Sequence, residues 1–257
     1  KFTKNDFWKA IKHLEDCHRI YKNYDDIQIR NNKNLYSKIC FVHGKALLPS
    51  NKYIDRAISN LEKAVELMPN EYDYKYNLAQ AYYNKGDLEM AMEVLNNLPN
   101  NINPKYYVQE LKAQVFSAMG KTDKAIELLL SLIKYRKKDY IYQRLAENYL
   151  SIGDIQKAEK FAKLAVNLNN KNYKNFLVVG MVLKENKQYK TAISYFEQAR
   201  VARQKNFNQD CPEALKIIDE IMKVTNNDPF DAAIDKGSEQ MNCIKNLVRK
   251  RGKVIKY

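Results

Sequence analysis

Apolar residues recur along this chain at helical spacing, three or four positions apart, and the spacing itself repeats. Ala57, Ala91, Ala125, Ala158 and Ala192 stand 34, 34, 33 and 34 residues apart. Four and seven positions after each come Leu61 and Ala64, Leu95 and Leu98, Leu129 and Leu132, Ala162 and Ala165, Phe196 and Ala199. This is the stripe of an amphipathic helix whose opening alanine lets a neighbouring helix approach closely. Nine positions before the alanine stands a large residue (Tyr82, Phe116, Tyr149, Leu183), and twelve before it a small one (Ala79, Ala113, Ala146, Gly180). Large against small is the pattern that interlocking helices need. Each period therefore predicts two helices, joined where Gly86, Gly120 and Gly153 supply a left-handed stop and where Asp87 and Asp154 start the next helix. Helix pairs of this length cannot bury their apolar faces alone, so they stack on their neighbours, and the expected fold is an all-α solenoid built for binding.

These residues resemble the tetratricopeptide repeat, over residues 37–205 and in five consecutive units. The resemblance implies a right-handed superhelical solenoid of antiparallel helix pairs. The chain departs from the pattern in three places. The first unit has a loop one residue longer around Leu48–Tyr53, Lys187 stands where a glycine is expected, and Lys112 takes a usually apolar position. Outside the repeats, residues 1–36 read as an N-terminal helical remnant or capping helices, with Phe7, Ala10, Ile11, Leu14 and Cys17 on one face. Residues 206–226 read as a capping helix opened by Asp210 and Pro212. Residues 227–251 read as a C-terminal helix or linker, and residues 252–257 as the start of a following domain. Those last six, from Gly252 to Tyr257, bear a weak resemblance to the first strand of a cold-shock domain.

In tetratricopeptide arrays the exposed face of the first helices lines the concave groove. The resemblance places there Phe41, Lys45, Tyr76, Asn77, Gln80 and Tyr83, then Tyr107, Glu110 and Gln114. Tyr140, Gln143, Arg144 and Glu147 follow, then Lys174, Leu177, Met181 and Lys184. Aromatics mixed with amides and both charge signs suit an extended peptide or a partner helix. A carboxylate clamp for acidic chaperone tails is not expected, because Phe41, Tyr76 and Leu111 take places where a clamp wants polar groups.

Composition adds a bias. Only 7 Gly and 6 Pro interrupt the chain, which suits helices, and no stretch is long and apolar enough for a membrane span. The net charge is +14, with six of the cations (Lys245, Arg249, Lys250, Arg251, Lys253, Lys256) in the final segment and no acid among them. That segment is a candidate for weak nucleic-acid contact. Lys134, Arg136, Lys137 and Lys138 form a second basic cluster, read first as complementing a helix dipole and second as a phosphate-binding ridge.

Chemistry has little to stand on. No phosphate loop, nucleophile elbow or zinc-protease motif occurs. His13, Cys17, His18, Cys40 and His43 lie at spacings from which a metal site between two helices is conceivable, but buried cysteines behave as small hydrophobes. The expectation is no metal, no cofactor and no catalysis. Four widely spaced cysteines point to a reducing, cytoplasmic setting. The chain opens at Lys1 without the apolar core of a leader and is read as a piece of a longer protein. The expected function is a protein–protein interaction scaffold. The alternative is the helical arm of a nucleic-acid-binding protein with a cold-shock-type barrel after residue 257.

Overall fold

A computed structural model describes residues 4–24, 26–98 and 106–225. Among these, every regular element is helical, and the chain divides into two compact units, residues 1–132 and 133–257. The first unit holds α1 (Lys4–Lys22), α2 (Asp26–Asn31), α3 (Lys33–Leu47), α4 (Ile54–Leu67), α5 (Tyr72–Lys85), α6 (Leu88–Asn96), α7 (Tyr106–Ala118) and α8 (Thr122–Ile133). The second holds α9 (Asp139–Ser151), α10 (Ile155–Leu168), α11 (Tyr173–Glu185), α12 (Tyr189–Phe207) and α13 (Pro212–Thr225).

The repeat register is the packing register. All five period alanines are wholly buried, and each residue of the stripe four and seven positions later is buried too. Consecutive helices pair as the period requires: α3 with α4, α5 with α6, α9 with α10, α11 with α12. In the first unit, Leu61, Leu78, Leu95, Leu111 and Val115 form the centre of one core, and Tyr36, Cys40, Ala64 and Tyr74 that of another. In the second, Ile141, Leu145, Val178, Val179 and Phe196 are buried to nearly the last atom. The long loop of the first repeat, which includes a short turn of 3₁₀ helix at Asn51–Tyr53, moves the small position back by one residue, from Lys45 to Gly44. A Cβ on Gly44 would lie 2.6 Å from Leu61 Cγ and 2.9 Å from the Ala57 carbonyl oxygen. Glycine is what lets α3 close on α4 there.

The turns within pairs also follow the sequence. Gly86, Gly120 and Gly153 all take positive φ. Lys187 takes the same left-handed conformation (φ 59°) without glycine's freedom. The Asp154 carboxylate accepts from the Lys157 backbone N–H at 3.1 Å and caps α10, whereas Asp87 makes no such side-chain bond to α6. Lys112 is half-buried on α7, and desolvation lowers its ammonium pKa. The helix expected after the repeats is α13, which packs on α12 and buries Ala214, Ile218 and Ile221.

Between pairs of the second unit, the join is polar. Asp139 Oδ2, at the start of α9, accepts from Asn169, Asn172 and Asn175 at 3.1, 2.9 and 3.1 Å. Asn175 also donates to the carbonyls of Ala165 and Asn169, both at 3.0 Å. One buried carboxamide thus reaches two carbonyls at the end of α10 and ties it to α9 and α11.

Candidate partner-binding groove

The first helices of the pairs carry the groove residues read from the sequence, and each unit presents its own set. In the first unit α3, α5 and α7 bring aromatics together. Phe41 stacks on Tyr74 with centroids 4.5 Å apart, and the Lys45 ammonium lies 5.6 Å from the Phe41 ring centre. Tyr107 meets Tyr76 edge-on at 4.7 Å and Tyr72 at 5.9 Å. Phe41, Tyr76, Tyr83 and Tyr107 are half-buried and pack against the core, so they are partly structural. The Tyr76 phenol is pushed above its ordinary range by burial first, then by Glu110 and Tyr107, which keeps it a neutral hydrogen-bonding group. Asn77 donates to the Asp73 carbonyl at 2.7 Å, and Gln80 to the Asn84 side chain at 2.9 Å, so both amides are partly engaged. Glu110 and Gln114 are half-buried on α7.

In the second unit, Gln143, Arg144 and Glu147 of α9 face Lys174 and Met181 of α11 across a cavity of about 290 Å³. Leu177 and Val178 form its apolar floor, and Tyr173 and Glu213 complete the lining. Six residues read from the sequence as groove residues, Gln143, Arg144, Glu147, Lys174, Leu177 and Met181, are therefore brought together. Tyr140 is half-buried outside this lining, and Lys184 pairs instead with Glu220 of α13 at 3.2 Å.

The electrostatics of the cavity are uneven. Gln143 donates to Glu147 at 2.9 Å, and Arg203 to Glu213 at 2.8 Å. The Glu213 carboxyl sits below its ordinary range, through its own backbone N–H first and then Cys211 and Arg203, against a burial penalty. Both acids of the lining thus already have donors. The Arg144 guanidinium and the Lys174 ammonium enter no ion pair among the described residues. Tyr173 is fixed from behind, with the Arg203 guanidinium 4.9 Å over its ring and Phe207 edge-on at 6.1 Å. Tyr173, Val178 and Glu213 were not anticipated. Tyr173 precedes Leu177 and Met181 at successive i, i+4 steps, which was the legible signal for it. Glu213 came from a helix read only as a cap.

The histidine and cysteine spacings do not converge. Among the described residues no three groups of metal-binding type lie close enough to share an ion. His13 is exposed, Cys17 is half-buried, and His18 Nε2 lies 3.4 Å from the Tyr36 hydroxyl. Cys40 is wholly buried and its thiol is pushed up to about 11, chiefly by desolvation. No described helix is long and apolar enough to cross a membrane. The basic segment with Lys245, Arg249, Lys250, Arg251, Lys253 and Lys256, and the strand-like end from Gly252, lie outside the described residues.

Comparison with known proteins agrees with this geometry. Models of the tetratricopeptide repeat match residues 51–115 and 140–172. No curated protein sequence matches the chain. Among solved structures, the chain is similar in fold to pilF of Pseudomonas aeruginosa, at 16% identity and TM-score 0.59 over 76% of this chain and 86% of that one. It is also similar to MamA from Desulfovibrio magneticus RS-1, at 17% identity and TM-score 0.55 over 67% and 97%. Another MamA structure aligns at 17% identity and TM-score 0.52 over 68% and 97%. Periodicity, buried alanines, glycine turns and matched models coincide, and the chain carries tetratricopeptide repeats.

Proposed function

We propose that this chain is a protein-interaction scaffold whose groove takes a peptide or a partner helix, with the cavity between α9 and α11 as an anchoring point. Tetratricopeptide repeats make protein–protein interaction modules, and that much holds for these repeats as a class. The observation that supports the finer reading is the cavity itself. The apolar lining of Leu177, Val178 and Met181 lies beside two uncommitted cations, Arg144 and Lys174. A partner side chain with an apolar body could bury on the floor while a neighbouring acceptor meets Arg144. On this reading the chain is non-catalytic and binds no cofactor. Free thiols at Cys17, Cys40 and Cys211 suit a reducing, cytoplasmic setting.

The test is a peptide display selection on the whole chain, followed by calorimetry of the selected peptides on variants. Arg144→Ala with Met181→Ala should weaken them at least tenfold, about 1.4 kcal/mol, at unchanged melting temperature. Selected peptides that bind the variant as tightly as the parent would place the site elsewhere. Tyr140→Ala, outside the cavity lining, distinguishes a wider groove from a local pocket.

A further inference from the structure

A different surface of the second unit is built from its loops. The turn between α8 and α9 carries Lys134, Tyr135, Arg136, Lys137 and Lys138, closed by a backbone bond from Lys138 N–H to the Arg136 carbonyl at 3.1 Å. The loop between α10 and α11 is tied against the start of α9 by the bonds from Asn169 and Asn172 to Asp139. The end of α12 is tied to that loop in turn, because Asn206 Nδ2 donates to the Lys171 carbonyl at 2.6 Å. Three chain segments therefore lie side by side along one edge, held by hydrogen bonds rather than by chance of side-chain placement.

What that edge exposes is cationic and aromatic. Tyr135 is 90% exposed, more than any other large apolar or aromatic side chain described, and Phe207 is 60% exposed. Lys134, Lys137, Lys138, Lys171 and Lys205 are all exposed, and none sits in an ion pair among the described residues. The acids close by are already engaged. Asp139 accepts from three amides, Glu213 from Arg203, and Asp210 lies 3.6 Å from the Arg200 Nε. A helix-dipole role explains a cation at the end of α8, but not four in the 134–138 turn, nor a tyrosine left in water between them.

We infer that this loop edge binds single-stranded nucleic acid without sequence preference, with Tyr135 as the stacking platform and Lys134, Lys137 and Lys138 as phosphate contacts. An unstacked base needs an open ring face, and its phosphates need cations on either side. An acidic peptide would use the cations and leave the tyrosine unexplained. This surface does not depend on the peptide groove, and it is distinct from the basic final segment.

The test is fluorescence anisotropy of the whole chain with a labelled oligouridylate of about 15 nucleotides, over a range of salt. Lys134, Lys137 and Lys138 changed together to Ala should reduce the slope of log K against log salt by about 2, from ~0.7 per single-strand contact. Tyr135→Ala should weaken binding roughly fivefold or more, and Tyr135→Phe should retain it. All four positions are exposed, so the melting temperature should not move. The same loop substitutions are to be repeated with Lys245, Arg249, Lys250 and Arg251 changed to Ala, and the loss should persist. Loop variants that bind like the parent, with all affinity removed by the second set, would overturn the proposal. So would polyglutamate or phosphatidylserine vesicles binding with the same dependence on Tyr135.

Discussion

Gly180 of α11 lies directly under the ring of Phe196 of α12, and a Cβ on Gly180 would stand 2.7 Å from the ring edge. Phe196 is wholly buried, so the ring has no open side to which it can retreat. Gly180→Ala sets two effects against each other. Alanine gains about 1 kcal/mol of helix propensity, and overpacking a rigid core costs ~1–3 kcal/mol. With three ring carbons within 3 Å the clash wins, and the variant should be less stable by up to about 2 kcal/mol. Denaturant unfolding checks this, and Phe196→Leu in the same chain should recover part of the loss.

The Asp139 network predicts acid sensitivity. Burial alone would raise this carboxyl, but the amides of Asn172, Asn175 and Asn169 and the Tyr140 backbone N–H outweigh it, and the pKa is lowered from 3.8. A carboxylate held low in the fold contributes stability above 3.8 that is lost as pH falls through the lower folded value. Asp139→Asn should flatten that part of the stability profile while being less stable at pH 7. Asn175→Ala, which removes the buried amide's bonds to the carboxylate and to the Ala165 and Asn169 carbonyls, should cost about 2–3 kcal/mol at pH 7. An unchanged acid limb in Asp139→Asn would remove this network from the explanation.

His43 acts in a higher pH window. It is 3% exposed, with neither ring nitrogen hydrogen-bonded, between His18, Arg56 and Glu15. Burial first, then the charges of His18 and Arg56, push its pKa below 6.5, and Glu15 opposes them in part. The unfolded chain therefore takes up a proton on acidification before the fold does, and stability falls as pH drops below 6.5. His43→Leu should remove that dependence. The measurement is urea unfolding of parent and variant from pH 7 to about pH 5, where histidines titrate, and parallel curves would count against it.

Most of the fold was legible because its packing is periodic. A buried alanine every 33 or 34 residues, with its stripe and its glycine, needs no long-range information. The longer loop of the first repeat was legible too, although its consequence, Gly44 closing on Leu61, was not. The groove was legible only by its face. Sequence spacing put Arg144 and Lys174 on that face, but not the fact that Glu147 and Glu213 are satisfied by Gln143 and Arg203. Those bonds join residues four and ten positions apart with chemically ordinary side chains, and nothing in the pattern marks them. Tyr76 and Tyr83 show the reverse: the spacing made them groove residues, and the fold also uses them against the core.

Lys187 offers a test of the turn argument itself. At the point where the other pairs turn on Gly86, Gly120 and Gly153, this pair turns on a lysine at φ 59°. A left-handed L-residue costs roughly 1–2 kcal/mol, and a glycine costs ~0.5–1 kcal/mol in lost freedom on folding. The difference favours glycine, so Lys187→Gly should stabilise the chain by about 0.5–1 kcal/mol. The reciprocal change, Gly153→Lys, should destabilise by a similar amount. A Cβ there meets nothing within 4 Å, so the backbone conformation alone is being tested. Urea midpoints that move apart in opposite directions for the two variants support the account. A Lys187→Gly chain no more stable than its parent would mean that the lysine side chain contributes an interaction as large as the strain it carries.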